Sequence, residues 1–222
     1  MRIRSLVPAI AISCVAIPLS VSAQSIGTLI GANISTISEA GNGVDDLFGS
    51  ALNKKKKLGL KAGFYLKIPI AGGVSLEPEL LYAQNGVTYQ TTGAVEKESF
   101  DVDFGYVEVP VLLRIDIAHK SHIHPILLAG GSGARRVQCS FDAASGASTV
   151  KQDCNKDGDA NDPVKKNDYS VIGGAGLAGQ LAGFSASLQL RVSQGLTSIA
   201  KDDSEASKPK NRALSVLLGF TF

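Results

Sequence analysis

The chain has 222 residues, a length that one domain accommodates. The first 23 residues contain two arginines and no acidic residue, so the remaining 199 (222 − 23) carry 20 basic and 20 acidic side chains. This formal neutrality gives no charge-based case for nucleic-acid binding. Tryptophan is absent, and the 24 glycines favour tightly packed strands over a helical core.

The N-terminal 23 residues have the pattern of a cleaved signal peptide. Arg2 and Arg4 precede an apolar stretch, and residues 21–23 (VSA) offer a cleavage site with small residues. The apolar stretch is shorter than the ~20 residues that a membrane helix needs. We therefore predict a signal peptide at residues 1–23 and one domain at residues 24–222.

Eight segments of the domain alternate apolar and polar residues with the period of two that strands show. They cover residues 25–37, 57–70, 74–86, 100–118, 122–137, 168–181, 183–199 and 211–222. The connections after the second, fourth and sixth segments are short, whereas the other connections are long and polar. Short periplasmic turns that alternate with long outer loops are typical of outer-membrane barrels.

The alternation alone does not say which face of the barrel is apolar. A soluble lipocalin-like barrel has the same period with its apolar face inside. Loop lengths and aromatic residues near the strand ends favour lipid contact. These aromatic residues are Phe184, Phe220 and Phe222 at the proposed periplasmic rim and Tyr82 and Tyr169 at the outer rim. We predict an all-β fold, an eight-stranded antiparallel up-and-down transmembrane β-barrel in the bacterial outer membrane.

Four stretches resemble the PorT-like outer-membrane β-barrel domain family. They are ELLYAQNG (79–86), YVEVPVLLRI (106–115), HPILLAGGSGARR (124–136) and NRALSVLLGFTF (211–222). The resemblance implies eight strands and an outer-membrane location. It implies no chemistry, because most members have no assigned activity and one branch is tied to protein secretion. The ending at Phe220 and Phe222 resembles the signal that the barrel assembly machinery reads, so we predict an assembly signal there.

Seven charged residues fall on the face that we predict to be inward. They are Lys61, Lys67, Glu77, Glu79, Glu108, Arg114 and Arg191. The predicted hairpin registers place Lys67 opposite Glu77, Tyr65 opposite Glu79, Arg191 opposite Gly174 and Gln189 opposite Gly176. We interpret these charges as a paired network that fills the narrow lumen of an eight-stranded barrel. The alternative is a path for protons or a ligand.

No motif predicts catalysis, and we expect a protein that is not an enzyme. Residues 174–179 match GxGxxG, but a strand pattern follows where a dinucleotide site needs a helix. His119, His122 and His124 lie near a predicted periplasmic turn without a serine elbow or metal-ligand spacing, which indicates exposed turn residues. An outer-membrane protease or lipid transferase is the alternative.

The fifth predicted loop, residues 139–167, holds the remaining candidate sites. A disulfide between Cys139 and Cys154 would close 16 residues and contribute about 3 kcal/mol in the chain-entropy model. Alternating oxygen ligands follow the pattern of a weak calcium loop, although Val164 stands where an EF-hand has glutamate. These ligands are Asp153, Asn155, Asp157 and Asp159. A solvated acidic loop is the alternative, and we predict no other cofactor.

The function predicted from these features is that of a structural or interaction barrel. Its lumen would be filled by side chains and its loops would face the environment. We expect a monomer whose partners are outer-membrane lipid and, during biogenesis, the barrel assembly machinery. A component of a secretion or transport system and a soluble lipocalin-like ligand-binding barrel are the alternatives.

Overall fold

A computed structural model describes most of the chain. The described residues are 24–38, 52–91, 98–118, 121–145, 148–153, 165–181, 184–198 and 210–222. The predicted signal peptide lies outside these ranges. Within them, no helix has the length and apolar character needed to cross a membrane.

The described residues form nine antiparallel strands. They are β1 Ser25–Ser38, β2 Leu52–Ala71, β3 Val74–Thr91, β4 Glu98–Asp116, β5 Ile123–Ser145, β6 Ser148–Asp153, β7 Asn167–Leu181, β8 Phe184–Gly195 and β9 Lys210–Thr221. The hydrogen-bonded order is β4-β3-β2-β1-β9-β8-β7-β5, and the pairing of β4 with β5 closes the ring. The predicted eight-stranded barrel is thereby confirmed, and β9 pairs on both edges, with β1 and β8.

The outer surface of the barrel is apolar. Val109, Leu188 and Leu218 are 50%, 50% and 48% exposed, whereas their inward neighbours on the same strands are buried. The period-two alternation of β2, β4, β8 and β9 thus separates an outward apolar face from an inward face. A lipocalin-like arrangement is excluded, because that fold turns its apolar face inward.

The short turns lie at one end of the barrel, which is the periplasmic end in this class of protein. Gly72 and Gly73 have φ angles of 55° and 84° and form a two-residue hairpin turn between Ala71 and Val74. Positive φ at both central positions suits glycine and matches the twist of the paired strands. The predicted registers of Tyr65 with Glu79, Arg191 with Gly174 and Gln189 with Gly176 are confirmed.

The outer ends of several strands are longer than the sequence predicts. β2 has 20 residues and β5 has 23, against the ~9–11 that a tilted strand needs to cross a bilayer. The prediction of a loop over residues 139–167 is wrong in part, because β5 continues to Ser145 and pairs with β6. Apolar alternation ends at the edge of the lipid, whereas backbone pairing continues beyond it among polar residues.

Candidate functional site in the barrel lumen

The structure places all seven predicted lumen charges on the inward face and gives each an ion-pair partner. The nitrogen–oxygen distances are 2.6 Å for Lys61 with Glu108, 2.9 Å for Lys67 with Asp116, 2.9 Å for Arg114 with Glu77 and 2.7 Å for Arg191 with Glu79. Asp116 also lies in the lumen, although the predicted charge network did not include it. It stands two residues after Arg114, and strand alternation places both on the same face of β4.

The Arg191–Glu79 bridge crosses the full width of the lumen. β3 and β8 are four places apart in the ring of eight strands, so the two side chains come from opposite walls. Arg191 donates from Nη1 to Glu79 Oε2 at 2.7 Å and from Nη2 to Glu79 Oε1 at 2.8 Å. Such bidentate, charge-assisted pairs are among the stronger hydrogen bonds in proteins.

Neighbouring residues orient the bridge and leave room for it. Arg191 Nε donates to Gln189 Oε1 at 2.9 Å, and Gln189 Nε2 donates to Ser187 Oγ at 2.9 Å. A Cβ atom at Gly174 would lie 3.1 Å from Arg191 Cγ and 2.8 Å from the carbonyl oxygen of Leu190. A glycine at this position of β7 therefore allows the arginine to lie close against the wall.

Apolar side chains fill much of the remaining lumen. One cluster contains Leu29, Tyr65, Leu81 and Leu217, and a second contains Leu112, Ile126, Leu128, Ile172 and Ala178. The inward face is thus partly apolar, in addition to the predicted charges. Apolar surroundings lower the local dielectric constant and strengthen a fully satisfied ion pair.

A second group of charges, which we call the periplasmic cluster, consists of Lys67, Glu77, Arg114, Asp116 and His124. Asp116 is its centre: Oδ2 accepts from Lys67 Nζ at 2.9 Å, and Oδ1 accepts from Arg114 Nε at 3.0 Å. Arg114 Nη1 also donates to Glu77 Oε1 at 2.9 Å. Within the described part of the chain, Glu77 Oε2 and Ser75 Oγ are buried without a hydrogen-bond partner.

His124 belongs to the periplasmic cluster, and its prediction as an exposed turn residue is wrong. Its Nε2 lies 3.1 Å from Asp116 Oδ1, and its Nδ1 lies 3.2 Å from the carbonyl oxygen of Ser121. The reason is that β5 begins at Ile123, so the next side chain points inward. His122 is exposed as predicted, and His119 lies outside the described residues.

Polar contacts also obstruct the outer part of the lumen. Asn33 of β1 donates to Asn85 Oδ1 and to the carbonyl oxygen of Gln84 on β3, and its own Oδ1 accepts from Ser215 Oγ at 2.8 Å. The Lys61–Glu108 pair joins β2 to β4 at a similar level. These outer contacts, like the Lys67–Asp116 pair at the periplasmic level, join strands one or two places apart in the ring, whereas the Arg191–Glu79 bridge joins opposite walls.

The other predicted sites lie partly or wholly outside the described residues. Cys139 is buried on β5, with its Sγ 3.9 Å from Arg136 Nη1, but Cys154 falls outside the described ranges, so the disulfide stays a prediction. Of the calcium ligands, Asp153 ends β6, and Asn155, Asp157 and Asp159 fall outside. Among the described residues, no group of three or more His, Cys, Asp or Glu side chains could hold a metal ion.

The proposed assembly residues lie at the periplasmic rim. The Phe220 ring packs against that of Phe184 with centroids 6.0 Å apart and planes tilted by 56°. Phe222 is 75% exposed, and its backbone N–H donates to the carbonyl oxygen of Ile26 at 2.9 Å. These positions fit an aromatic girdle, and the role in assembly stays a prediction.

Residues 22–201 match the family model described as "Outer membrane protein beta-barrel domain". The chain belongs to this family. The outer-membrane barrel is similar to OprG from Pseudomonas aeruginosa, at 12% identity over 90% of this chain and 95% of that chain, with a TM-score of 0.48. It is also similar to Ail of Yersinia pestis, at 15% identity over 90% and 99% of the two chains, with a TM-score of 0.41. No curated protein matches the chain.

The family membership and the closed apolar barrel together locate the protein. It is an integral β-barrel of the bacterial outer membrane. The outward apolar residues face the lipid, and the charge-paired lumen faces the barrel axis. Every predicted lumen charge thus lies where lipid does not reach it.

Proposed function

We propose that this outer-membrane barrel is a structural or interaction protein whose lumen is closed to ions. The Arg191–Glu79 bridge carries the proposal, because it joins opposite walls at the middle of the lumen. An eight-stranded barrel encloses just enough space for its own side chains. An ion could pass this level only if a buried, bidentate pair separated.

The extended outer strands supply the interaction surface in this proposal. The outer part of β5 pairs with β4 on one side and with β6 on the other, which forms a small sheet beyond the barrel. A hydrogen-bonded sheet holds its surface residues in fixed positions, as recognition of a partner requires. β8 and β9 have only 12 residues each, so this sheet stands on one side of the barrel opening.

The finer parts of the proposal rest on the sequence. The resemblance of residues 79–86, 106–115, 124–136 and 211–222 supports membership of the PorT-like family. One branch of that family is tied to protein secretion, so a component of a secretion or transport system is the alternative role. The proposed protein is monomeric and not an enzyme. The loop that contains Asp153 and Asp157 is proposed as its weak calcium site, and Phe220 and Phe222 as its assembly signal.

The closed lumen can be tested in planar lipid bilayers. The refolded wild-type barrel should give no large, stable conductance, whereas a wide porin refolded in the same way should give regular steps. A variant with both Glu79→Ala and Arg191→Ala should show brief, small openings, since it lacks the bridge.

The matched control for this double variant is Val109→Ala with Leu190→Ala, two truncations on the lipid-facing surface. It should remain as silent as the wild type. Porin-like steps from the wild-type protein would contradict the closed lumen and favour a transport role.

A further inference from the structure

A polar vestibule and an apolar groove lie against each other at the periplasmic end of the barrel. The vestibule is an interior cavity of about 440 Å³ whose lining includes Lys67, His122 and Gln180. The groove is a recess of about 290 Å³ on the wall of β5, β7, β8 and β9. Its lining is mainly apolar and includes Ile123, Leu177, Leu188, Leu218 and Phe220.

The wall that separates the two spaces is short and, apart from Gln180, built of small residues. The residues that line both spaces are Ala178, Gly179, Gln180, Ala186 and Ser187. At the start of β5, two consecutive residues line the two spaces: His122 lines the vestibule and Ile123 lines the groove. β5 begins at Ile123, so these two residues lie on the rim of the barrel.

The two spaces differ in what they can bind. The carboxylate of Asp116 does not line the vestibule: it is buried and already accepts hydrogen bonds from Lys67 and Arg114. Among the described residues, the side chains that line the vestibule include no carboxylate: its charged or titratable members are Lys67, Arg114, His122 and His124, set among neutral hydroxyl and amide groups. The Lys67 ammonium stays a quarter exposed beside its partner Asp116, and His122 is exposed. The vestibule therefore suits an anion, whereas the groove offers apolar surface at the level of the membrane lipid.

We propose that the periplasmic rim binds one phospholipid of the inner leaflet. An acyl chain lies in the groove against Leu177, Leu188 and Leu218. The headgroup bends over the rim at Ile123, and its phosphate accepts hydrogen bonds from His122 and Lys67. The proposal does not depend on whether the lumen conducts ions, because the lipid lies at the rim, outside the Arg191–Glu79 bridge.

The groove can be tested by native mass spectrometry of the full refolded chain titrated with dioleoylphosphatidylglycerol. The wild type should retain one lipid more tightly than all others. Ala186→Phe fills the groove from the lipid-facing side and should weaken this binding by about tenfold or more, in line with the burial of an acyl chain. Ala32→Phe is the matched control, since Ala32 also faces outward but lies on β1, away from the groove.

The headgroup contact can be tested in the same titration. His122→Glu places a negative charge beside the phosphate and should weaken binding by about tenfold, whereas Asn167→Glu at the exposed outer end of β7 should not. Dioleoylglycerol, which lacks the phosphate, should bind as weakly to the wild type as phosphatidylglycerol does to His122→Glu. Glycerol phosphate, which lacks the chains, should not bind measurably.

Three results would overturn the proposal. If the wild type shows a series of equally weak lipids that Ala186→Phe leaves unchanged, the groove contacts ordinary boundary lipid. If dioleoylglycerol binds as well as phosphatidylglycerol, the vestibule does not recognise the phosphate. If glycerol phosphate binds as well as the lipid, the site is an anion site without a lipid chain.

Discussion

The Arg191–Glu79 bridge and the periplasmic cluster use the same chemistry in two different ways. In the bridge, both oxygens of Glu79 accept from one guanidinium, whose Nε is held by Gln189. In the periplasmic cluster, Arg114 divides its donors between Glu77 and Asp116. The bridge joins opposite strands, whereas the Arg114–Glu77 pair joins the neighbouring strands β3 and β4.

The difference shows that a buried ion pair stabilises the fold only when its hydrogen-bonding groups are occupied. A buried pair offsets the cost of its desolvation only when its geometry is good and its remaining hydrogen-bonding groups are occupied. The bridge meets this condition, while the Arg114–Glu77 pair leaves Glu77 Oε2 unoccupied among the described residues. We infer that the bridge holds the barrel walls together and that the cluster, beside an open vestibule, can exchange partners.

The largest effect should come from truncating the bridge. Arg191→Ala would leave Glu79 buried and uncompensated, and we expect the free energy of unfolding to fall by about 3–5 kcal/mol. Urea unfolding in detergent or lipid vesicles, followed by the gel mobility of the folded barrel, measures the change. Arg135→Ala, an arginine truncation on the exposed face of β5, should change it by less than about 0.5 kcal/mol.

A double variant sharpens this prediction. Arg191→Met with Glu79→Leu replaces both charges by apolar side chains, and such replacements of buried pairs are often neutral or stabilising. The double variant should therefore recover most of the stability that Arg191→Ala loses. If Arg191→Ala lowers the free energy of unfolding by less than about 1 kcal/mol, the bridge contributes no more than an exposed salt bridge does.

A smaller difference in the free energy of unfolding should distinguish substitutions of Glu79 and Glu77, which both lie on β3. Glu79→Gln removes one of two charge-assisted hydrogen bonds to Arg191 and should cost about 1.5–3 kcal/mol. Glu77→Gln keeps an oxygen that accepts from Arg114, and its NH₂ group replaces Oε2, the oxygen without a partner. We therefore expect the free energy of unfolding to fall by less than about 1 kcal/mol. Equal losses in the same urea experiment would show that the unpartnered oxygen of Glu77 does not matter.

The sequence predicted what local geometry determines. Alternation with period two placed Lys61, Glu79 and Arg191 on the inward face, and the glycine turn fixed the register of Tyr65 with Glu79. These features depend only on neighbours along the strand or across one hairpin, so they do not depend on how the barrel closes.

The partners of the charges depend on how the barrel closes, which the alternation along a strand does not determine. The pairs on either side, Tyr65 with Glu79 and Ile68 with Leu76, keep Lys67 in the predicted register opposite Glu77. Its ammonium nevertheless reaches Asp116 on β4, two strands away. Glu79 and Arg191 are 112 positions apart and meet only because the ring of strands curves through half a turn. Long side chains in a narrow barrel reach past the adjacent strand, which a hairpin register does not describe.

The smallest effect should come from the edge of the periplasmic cluster. His124→Ala removes a partner of Asp116, but Lys67 and Arg114 continue to donate to that carboxylate. The side chain is partly exposed to the vestibule, so water can replace the lost contact, and we expect a loss of about 0.5–1 kcal/mol. His122→Ala, on an exposed neighbour, is the matched control and should cost less than about 0.5 kcal/mol when both variants are unfolded in detergent without phospholipid. If His124→Ala costs more than Glu79→Gln in the same measurement, the periplasmic cluster acts as one cooperative unit and the contrast with the bridge fails.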